Sequence, residues 1–290
     1  MKRTLVLLAF LTGTFTSNAQ LLWKVSGNGL EKSSYILGTH HVASSDVCDM
    51  IAGFEDAYNA IEQVYGEVET EKMNSSSAQM KVLAHSFMPK GQKLSSLFTE
   101  EQIEKINEFL KPILGAELAA FDKFKPVTLT SMIQMLLAQK IFPDFDAEKA
   151  IDSHMQSKAK KDNKATKGLE TLEFQINLLY DSPLEEQAKE LLEMAEMGPK
   201  AEESIIQLTE SYLKQDLEGL LKIMLEDTEP EEMEDILYAR NRNWIGQMKE
   251  IMPQAPTMFV VGAGHLPGDL GVLNLLKEEG YEVEPVWQQL

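Results

Sequence analysis

Apolar positions along this chain follow two rhythms. Near both ends they form short continuous or alternating runs rich in β-branched and aromatic residues, and through the middle they recur at helical spacing. Leu21-Leu22-Trp23-Lys24-Val25 predicts a first strand, Gly27-Asn28-Gly29 a turn, and Ser34 to Leu37 the strand that returns. Gln63 to Glu69 predicts a further strand, with Tyr65, Glu67 and Glu69 on one face and Val64 and Val68 on the other. Met258-Phe259-Val260-Val261 predicts a buried strand that Gly262 and Gly264 stop abruptly. Tyr281 to Val286 closes the last strand–turn–helix–strand unit.

Asp46 to Ala60 is helical by pattern, as is Ser75 to about Gln156, with breaks at Pro89-Lys90-Gly91, Lys111-Pro112, Lys125-Pro126 and Phe142-Pro143-Asp144. Thr99-Glu100-Glu101-Gln102 is a capping box for a helix to Leu110. Val127 to Lys140 is apolar almost all round, which predicts burial between layers, with Met132 and Met135 as core filler. Ala165 to Leu169 is a short strand, and a helix opens at Glu170. Helices are predicted over Leu184–Met197, Ala201–Lys214 and Leu217–Leu225, with a long one from about Glu231 to Met252. Strands, then helices over about 75–250, then strands again imply an α+β (α/β) fold. One mixed central sheet is built from both chain ends, and the helices form an insertion or cap.

Two of the strands end alike. Tyr35-Ile36-Leu37 runs into Gly38-Thr39-His40-His41, and the strand before Gly262 runs into Gly262-Ala263-Gly264-His265. Each is a Gly-x-x-His, so the two ends read as a diverged repeat. Neutral imidazole is the commonest metal ligand and titrates nearest neutral pH, so two together point to a metal site or to acid–base chemistry. The glycines let the backbone bend and should hold His265 over the carboxyl end of the sheet. His40 and His41 should face opposite sides, so only one enters a shared site. Glu67 and Glu69 are either a pair of site carboxylates or a solvated edge. Arg240, within Arg240-Asn241-Arg242-Asn243-Trp244, is a natural guanidinium partner for converging carboxylates. His85 and His154 lack the motif and read as structural or surface residues.

Composition narrows the partners. The first 19 residues read as a signal peptide: Lys2 and Arg3, an apolar centre from Leu5 to Leu11, and a small-residue exit before cleavage after Ala19. The mature chain, 20–290, carries 25 basic and 46 acidic residues once Lys2 and Arg3 are gone, a formal charge of −21. Such a surface repels nucleic acid and anionic lipid, and no window in the mature chain is apolar enough to span a membrane. Cys48 stands alone, so no intrachain disulfide forms, and it reads as a small buried apolar side chain. No His-Glu-x-x-His helix and no Gly-x-Ser-x-Gly elbow is present.

These pieces, in this order, resemble the TraB/PrgY/GumN family, which includes the Tiki metalloproteases, over almost the whole mature chain. Tyr35 to His41 and Gly262 to Leu266 with Gly268 resemble its two Gly-x-x-His segments. Val64 to Glu69 resembles its strand with an essential glutamate, at 67, and a second acid, at 69. Gly168-Leu169-Glu170-Thr171 through Gln175, Tyr212 to Leu220 and Arg240-Asn241 are similar to its internal segments. The sequence departs from the usual pattern at His40, where an aliphatic residue is common, and at Ala239, where an acid often precedes Arg-Asn. The resemblance implies an exported, periplasmic or extracellular hydrolase that uses manganese or cobalt, with zinc as an alternative ion, on peptide or protein substrates. His41, Glu67 and His265 would hold the ion. Glu69, Glu170 or Glu67 itself would be the general base, and Arg240 and Asn241 would stabilise an oxyanion. A non-catalytic metal- or peptide-sequestering protein and an esterase-like hydrolase of small molecules are the alternatives.

Overall fold

The structure, a computed structural model, describes residues 20–41, 43–73, 75–141 and 149–287. The proposed leader and the break at 142–144 lie outside the described residues. Six strands form one mixed sheet: β1 (Leu22–Gly27), β2 (Ser34–Thr39), β3 (Gln63–Gly66), β4 (Ala165–Gly168), β5 (Thr257–Gly262) and β6 (Tyr281–Pro285), in the order β4-β3-β5-β2-β1-β6. β1 runs antiparallel to both β2 and β6, whereas β2–β5, β5–β3 and β3–β4 are parallel pairs. Four adjacent strands therefore point their carboxyl ends the same way. The fold is mixed α/β, and both chain ends build the sheet.

β5 is central and Met258 to Val261 are fully buried, which is why its run is continuous rather than alternating. β3 is shorter than its pattern predicts. Its ladder stops at Gly66, so Glu67, Val68 and Glu69 lie in the loop entering α2 (Thr70–Met73), and Glu67 and Glu69 do not share a strand face. Asp46 to Ala60 is not one helix: a 3-10 turn (Ser45–Met50) and α1 (Phe54–Ala60) are separated at Gly53, whose φ of 70° no residue with a β-carbon adopts cheaply.

The helical block has its own small core. α3 (Ser76–His85) leads to α4 (Glu100–Leu114), which opens on the predicted capping box, with Thr99 and Gln102 each capping the other, but continues through Pro112. α5 (Pro126–Ile141) packs with α4, and the buried side chains of Ile106, Leu110, Leu129, Ile133 and Leu137 belong to this core. α5 is not buried all round. Met132, Met135 and Leu136 are exposed, so the two methionines are not core filler, because the apolar helix has only one neighbouring layer.

α6 (Ile151–Lys161) returns to the sheet beside β3 and β4. α7 (Leu172–Tyr180), α8 (Leu184–Met197), α9 (Pro199–Leu213) and α10 (Leu217–Asp227) follow. The expected long helix runs without a break from Pro230 to Ile251, as α11 (Pro230–Met233), a π-helical turn (Glu234–Tyr238) and α12 (Ala239–Ile251). α13 (Val272–Glu278) links β5 to β6. Among the described residues no helix is long and apolar enough to cross a membrane.

Candidate functional site at the carboxyl ends of the parallel strands

Parallel pairing of β4, β3, β5 and β2 brings the residues just beyond their ends to one rim: Glu170 after β4, Glu67 after β3, His265 after β5 and His41 after β2. α12 supplies the charge that joins them. All five N–H groups of Arg240 are engaged. Nε and Nη2 donate to Glu170 at 2.8 and 2.9 Å, and Nη2 also donates to Glu67 Oε2 at 2.6 Å. Nη1 donates to the Ile236 carbonyl at 2.8 Å and to His265 Nε2 at 3.1 Å. The carbonyl comes from the π-helical turn, a feature common beside functional sites.

His265 is buried and held at both ring nitrogens. Its Nδ1–H donates to Asn241 Oδ1 at 2.6 Å, which leaves Nε2 as the lone-pair nitrogen, 3.8 Å from Glu67 Oε1. Burial, with help from Arg240 and His41, pushes its pKa down to about 3 against the pull of Glu67, so His265 is neutral. Asn241 spends both amide protons on main-chain carbonyls, those of His265 and Leu270 at 3.2 and 2.9 Å. It is therefore placed to orient His265, with no donor left for an oxyanion.

Glu67 accepts from the Gly262 amide at 2.8 Å and from Gln175 at 3.1 Å as well as from Arg240. Burial opposes its ionisation, but His265, Arg240, His41 and the Gly262 amide outweigh it and hold the carboxyl at about 2. The need for glycine at 262 is here steric rather than torsional. Its φ is −52°, and a β-carbon would stand 3.3 Å from Glu67 Oε1. Gly38 is likewise a close approach, since a β-carbon there would meet Leu266 at 3.1 Å and Ala263 at 3.2 Å.

Glu170 is only 2% exposed at its side chain, and Arg240, Gln175 and the Trp244 indole N–H, the last at 2.9 Å, occupy both its oxygens. It serves as a counter-charge to Arg240 and has no oxygen turned to solvent. Glu69 lies apart from this network, paired with Lys72 at 2.7 Å. The remaining aromatic contact is Trp244, whose ring packs on His265 at 4.3 Å.

The two neighbouring histidines separate. His40 Nε2 meets the Thr209 hydroxyl at 2.9 Å and its ring packs on Tyr212, both on α9, and burial lowers its pKa to about 4. His41 turns to Asp152 on α6, with Nδ1 3.4 Å from Oδ2. Asp152 raises the His41 pKa to about 9, with Glu67 assisting and Arg240 opposing, so the ring is a cation near neutral pH. It is 79% exposed, yet Glu67, Arg240 and His265 all feel its charge. His41 thus faces solvent at the end of β2, with its charge felt by the Glu67 network.

Sequence patterns did not point to Asp152, Thr39 or Gln156. An acid and an amide on an amphipathic helix carry no signal of their own, and only the packing of α6 under β3 brings them to the loops. Tyr212, within the segment Tyr212 to Leu220, clamps the first Gly-x-x-His by donating to the Gly38 carbonyl at 3.1 Å. Cys48 is buried, and burial pushes its thiol up to about 12, so it stays protonated. His85 pairs with Asp181 at 3.0 Å, and His154 is exposed. A cavity of about 740 Å³ between α4, α5, α8 and α9 is mainly apolar, and four of its five charged residues pair with each other, Lys105 with Glu196 and Lys140 with Glu202, so the rim of the sheet is the better chemical site.

Among the described residues no three His, Cys, Asp or Glu side chains are grouped as a metal would require. His265 Nε2 lies 3.8 Å from Glu67 Oε1, and Arg240 stands on that nitrogen. No curated protein and no solved structure matches the chain. The model of the TraB/PrgY/gumN family matches residues 21–285.

Proposed function

The chain belongs to the TraB/PrgY/gumN family, and from that premise we propose that the rim of the sheet is the active site of an exported, metal-dependent hydrolase acting on peptide or protein substrates. One observation carries the reading. A neutral histidine and an ionised glutamate from neighbouring strand ends share one buried arginine, and the charge of His41, at the next strand end, is felt there.

The donors suit a divalent ion in kind. His265 is neutral with Nε2 as its lone-pair nitrogen, Glu67 is ionised, and His41 adds a second imidazole. In position they are less complete, since Arg240 occupies the Nε2 lone pair and must give way to any ion there. An ion such as manganese or cobalt, held by His41, Glu67 and His265, would supply Lewis-acid polarisation of the scissile carbonyl and a lower pKa for water.

The protein's own groups supply the rest. Asn241 fixes the His265 tautomer. Arg240, anchored on Glu170, holds Glu67 ionised; with all its N–H groups engaged it would meet developing negative charge by giving up one of those bonds, and a well-placed donor so freed is worth about 3 kcal/mol. With a carboxyl near 2, Glu67 is a weak base by itself, which favours a ligand role over proton abstraction. Glu170 has no accessible oxygen and Glu69 is paired elsewhere, so neither is favoured as the base.

A second reading is a protein that sequesters a peptide or an ion without cutting, and the saturated Arg240 network favours it. The test is to measure bound metal in purified mature protein and then cleavage of a peptide pool with manganese and with a chelator. Chelator-sensitive cleavage supports the hydrolase. Metal uptake without turnover supports sequestration, and full metal content in His265→Ala removes the ligand set.

A further inference from the structure

His265 Nδ1 is fixed by Asn241 from α12. On the other side of the site, Asp152 is the second residue of α6, and its Oδ1 accepts from the Thr39 hydroxyl at 2.8 Å. Thr39 is itself the last residue of β2 and buried, so this bond locks the carboxylate in orientation.

The other oxygen, Oδ2, is buried and takes no hydrogen bond among the described residues. His41 Nδ1 lies 3.4 Å away, an ion-pair contact that falls short of a hydrogen bond. A buried carboxylate oxygen left without a donor is costly, and His41 is the donor that faces it.

We infer that Asp152 is the positioning residue of His41: with Thr39 holding Oδ1, it accepts the His41 Nδ1–H on Oδ2 and leaves Nε2 as the lone-pair nitrogen. Each histidine of the site then has its Nδ1 pinned by one helix-borne side chain, Asn241 from α12 or Asp152 from α6. Metal-ligating imidazoles depend on such a partner for tautomer and ring orientation. Asparagine at 152 would still accept from Thr39, but would present an N–H where Oδ2 stood. Donor would then face donor, and His41 would have to adopt the other tautomer or swing away.

The consequence for metal binding rests on the hydrolase reading above, whereas the tautomer does not. Long-range ¹H–¹⁵N spectra of the imidazoles, recorded where His41 is neutral, should show wild-type His41 protonated at Nδ1 and Asp152→Asn protonated at Nε2. Asp152→Glu should restore the wild-type pattern at least in part. Wild-type His41 protonated at Nε2, or the same tautomer in Asp152→Asn, overturns the inference. The wild-type spectrum is decisive even if a variant fails to fold.

In the same samples, manganese alone is titrated, and Asp152→Asn should bind it about 10- to 100-fold more weakly. Unchanged affinity with an altered tautomer would overturn the assignment of His41 as a ligand-type histidine positioned by Asp152. If the wild type takes up no manganese, the hydrolase reading fails while the spectra still decide the position of Asp152.

Discussion

Arg240 Nη1 donates to His265 Nε2 across 3.1 Å, so a guanidinium rests on the lone pair of a neutral imidazole while its other edge binds two carboxylates. The hydrogen bonds are self-consistent. Arg240 can donate there only because Asn241 has taken the Nδ1 proton, and His265 can stay neutral only because it is buried beside a cation.

Arg240→Met should therefore be among the most destabilising substitutions in the chain. It leaves Glu67 and Glu170 as buried charges without their cation, a situation that costs about 3–5 kcal/mol. Urea unfolding measures it. Adding Glu170→Gln to Arg240→Met should recover part of the loss, since one of the stranded charges is then gone. A single-variant loss below about 1 kcal/mol, far under the cost of stranding a buried charge, would mean the network is not formed as described. Arg240→Lys should cost less than Arg240→Met but still destabilise, because one ammonium keeps the charge yet cannot span both carboxylates and the imidazole.

The site titrates from both sides. Glu67 has a folded pKa of about 2, below its unfolded value, so its stabilisation is present above the ordinary carboxylate range and is lost as pH falls toward 2. His40 is depressed to about 4. It adds nothing above its unfolded pKa and penalises the fold as pH drops below that value, because the unfolded chain takes up the proton first. His40→Leu should remove that penalty, up to about 3 kcal/mol by pH 4, and flatten the acid side of the melting-temperature profile. An unchanged acid limb would show that His40 is not held neutral against Thr209 and Tyr212.

Metal binding, where it occurs, should release protons. His41 is held as a cation by Asp152, with a pKa of about 9, and a ligand imidazole must be neutral. Calorimetric manganese titrations near pH 7, in buffers of different ionisation enthalpy, should report about one proton lost per ion. The number should fall toward zero once pH exceeds about 9, as the free ring loses its own proton. Proton release that persists unchanged in His41→Ala would take His41 out of the ligand set.

The strands were legible because each is a short apolar run that only a buried sheet explains, and their punctuation located the two Gly-x-x-His loops. Glu67 was found through the same pattern but for an incomplete reason. It reaches His265 because β3 stops at Gly66 and the chain turns, not because it shares a strand face with Glu69. Arg240, Asn241 and Trp244 stood out as a cluster, yet nothing local marks the π-helical turn before them. Asp152 and Gln156 were invisible, since their significance comes from a packing contact between α6 and β3 and not from their neighbours in sequence. The exposure of Met132 and Met135 was hidden for a related reason: apolar residues all round a helix record composition, not how many layers cover it.

The loop that delivers Glu67 gives the last prediction. Gln156 is buried, donating to the Val68 carbonyl at 2.8 Å and accepting from the Thr70 amide at 2.9 Å, so one side chain satisfies two main-chain groups flanking the turn. Gln156→Ala leaves both without partners and should cost about 1–3 kcal/mol. A β-carbon on Gly66 would stand 2.2 Å from Gln156 Nε2, so Gly66→Ala should force that amide away and lose the same bonds by another route. Because both substitutions damage one feature, their costs should not add. The double variant should be more stable than the sum of the single losses implies, by a coupling of about 1 kcal/mol or more in a double-mutant cycle. Strict additivity would mean that Gly66 is needed for something other than the space Gln156 fills, and that the Glu67 loop is held by other means.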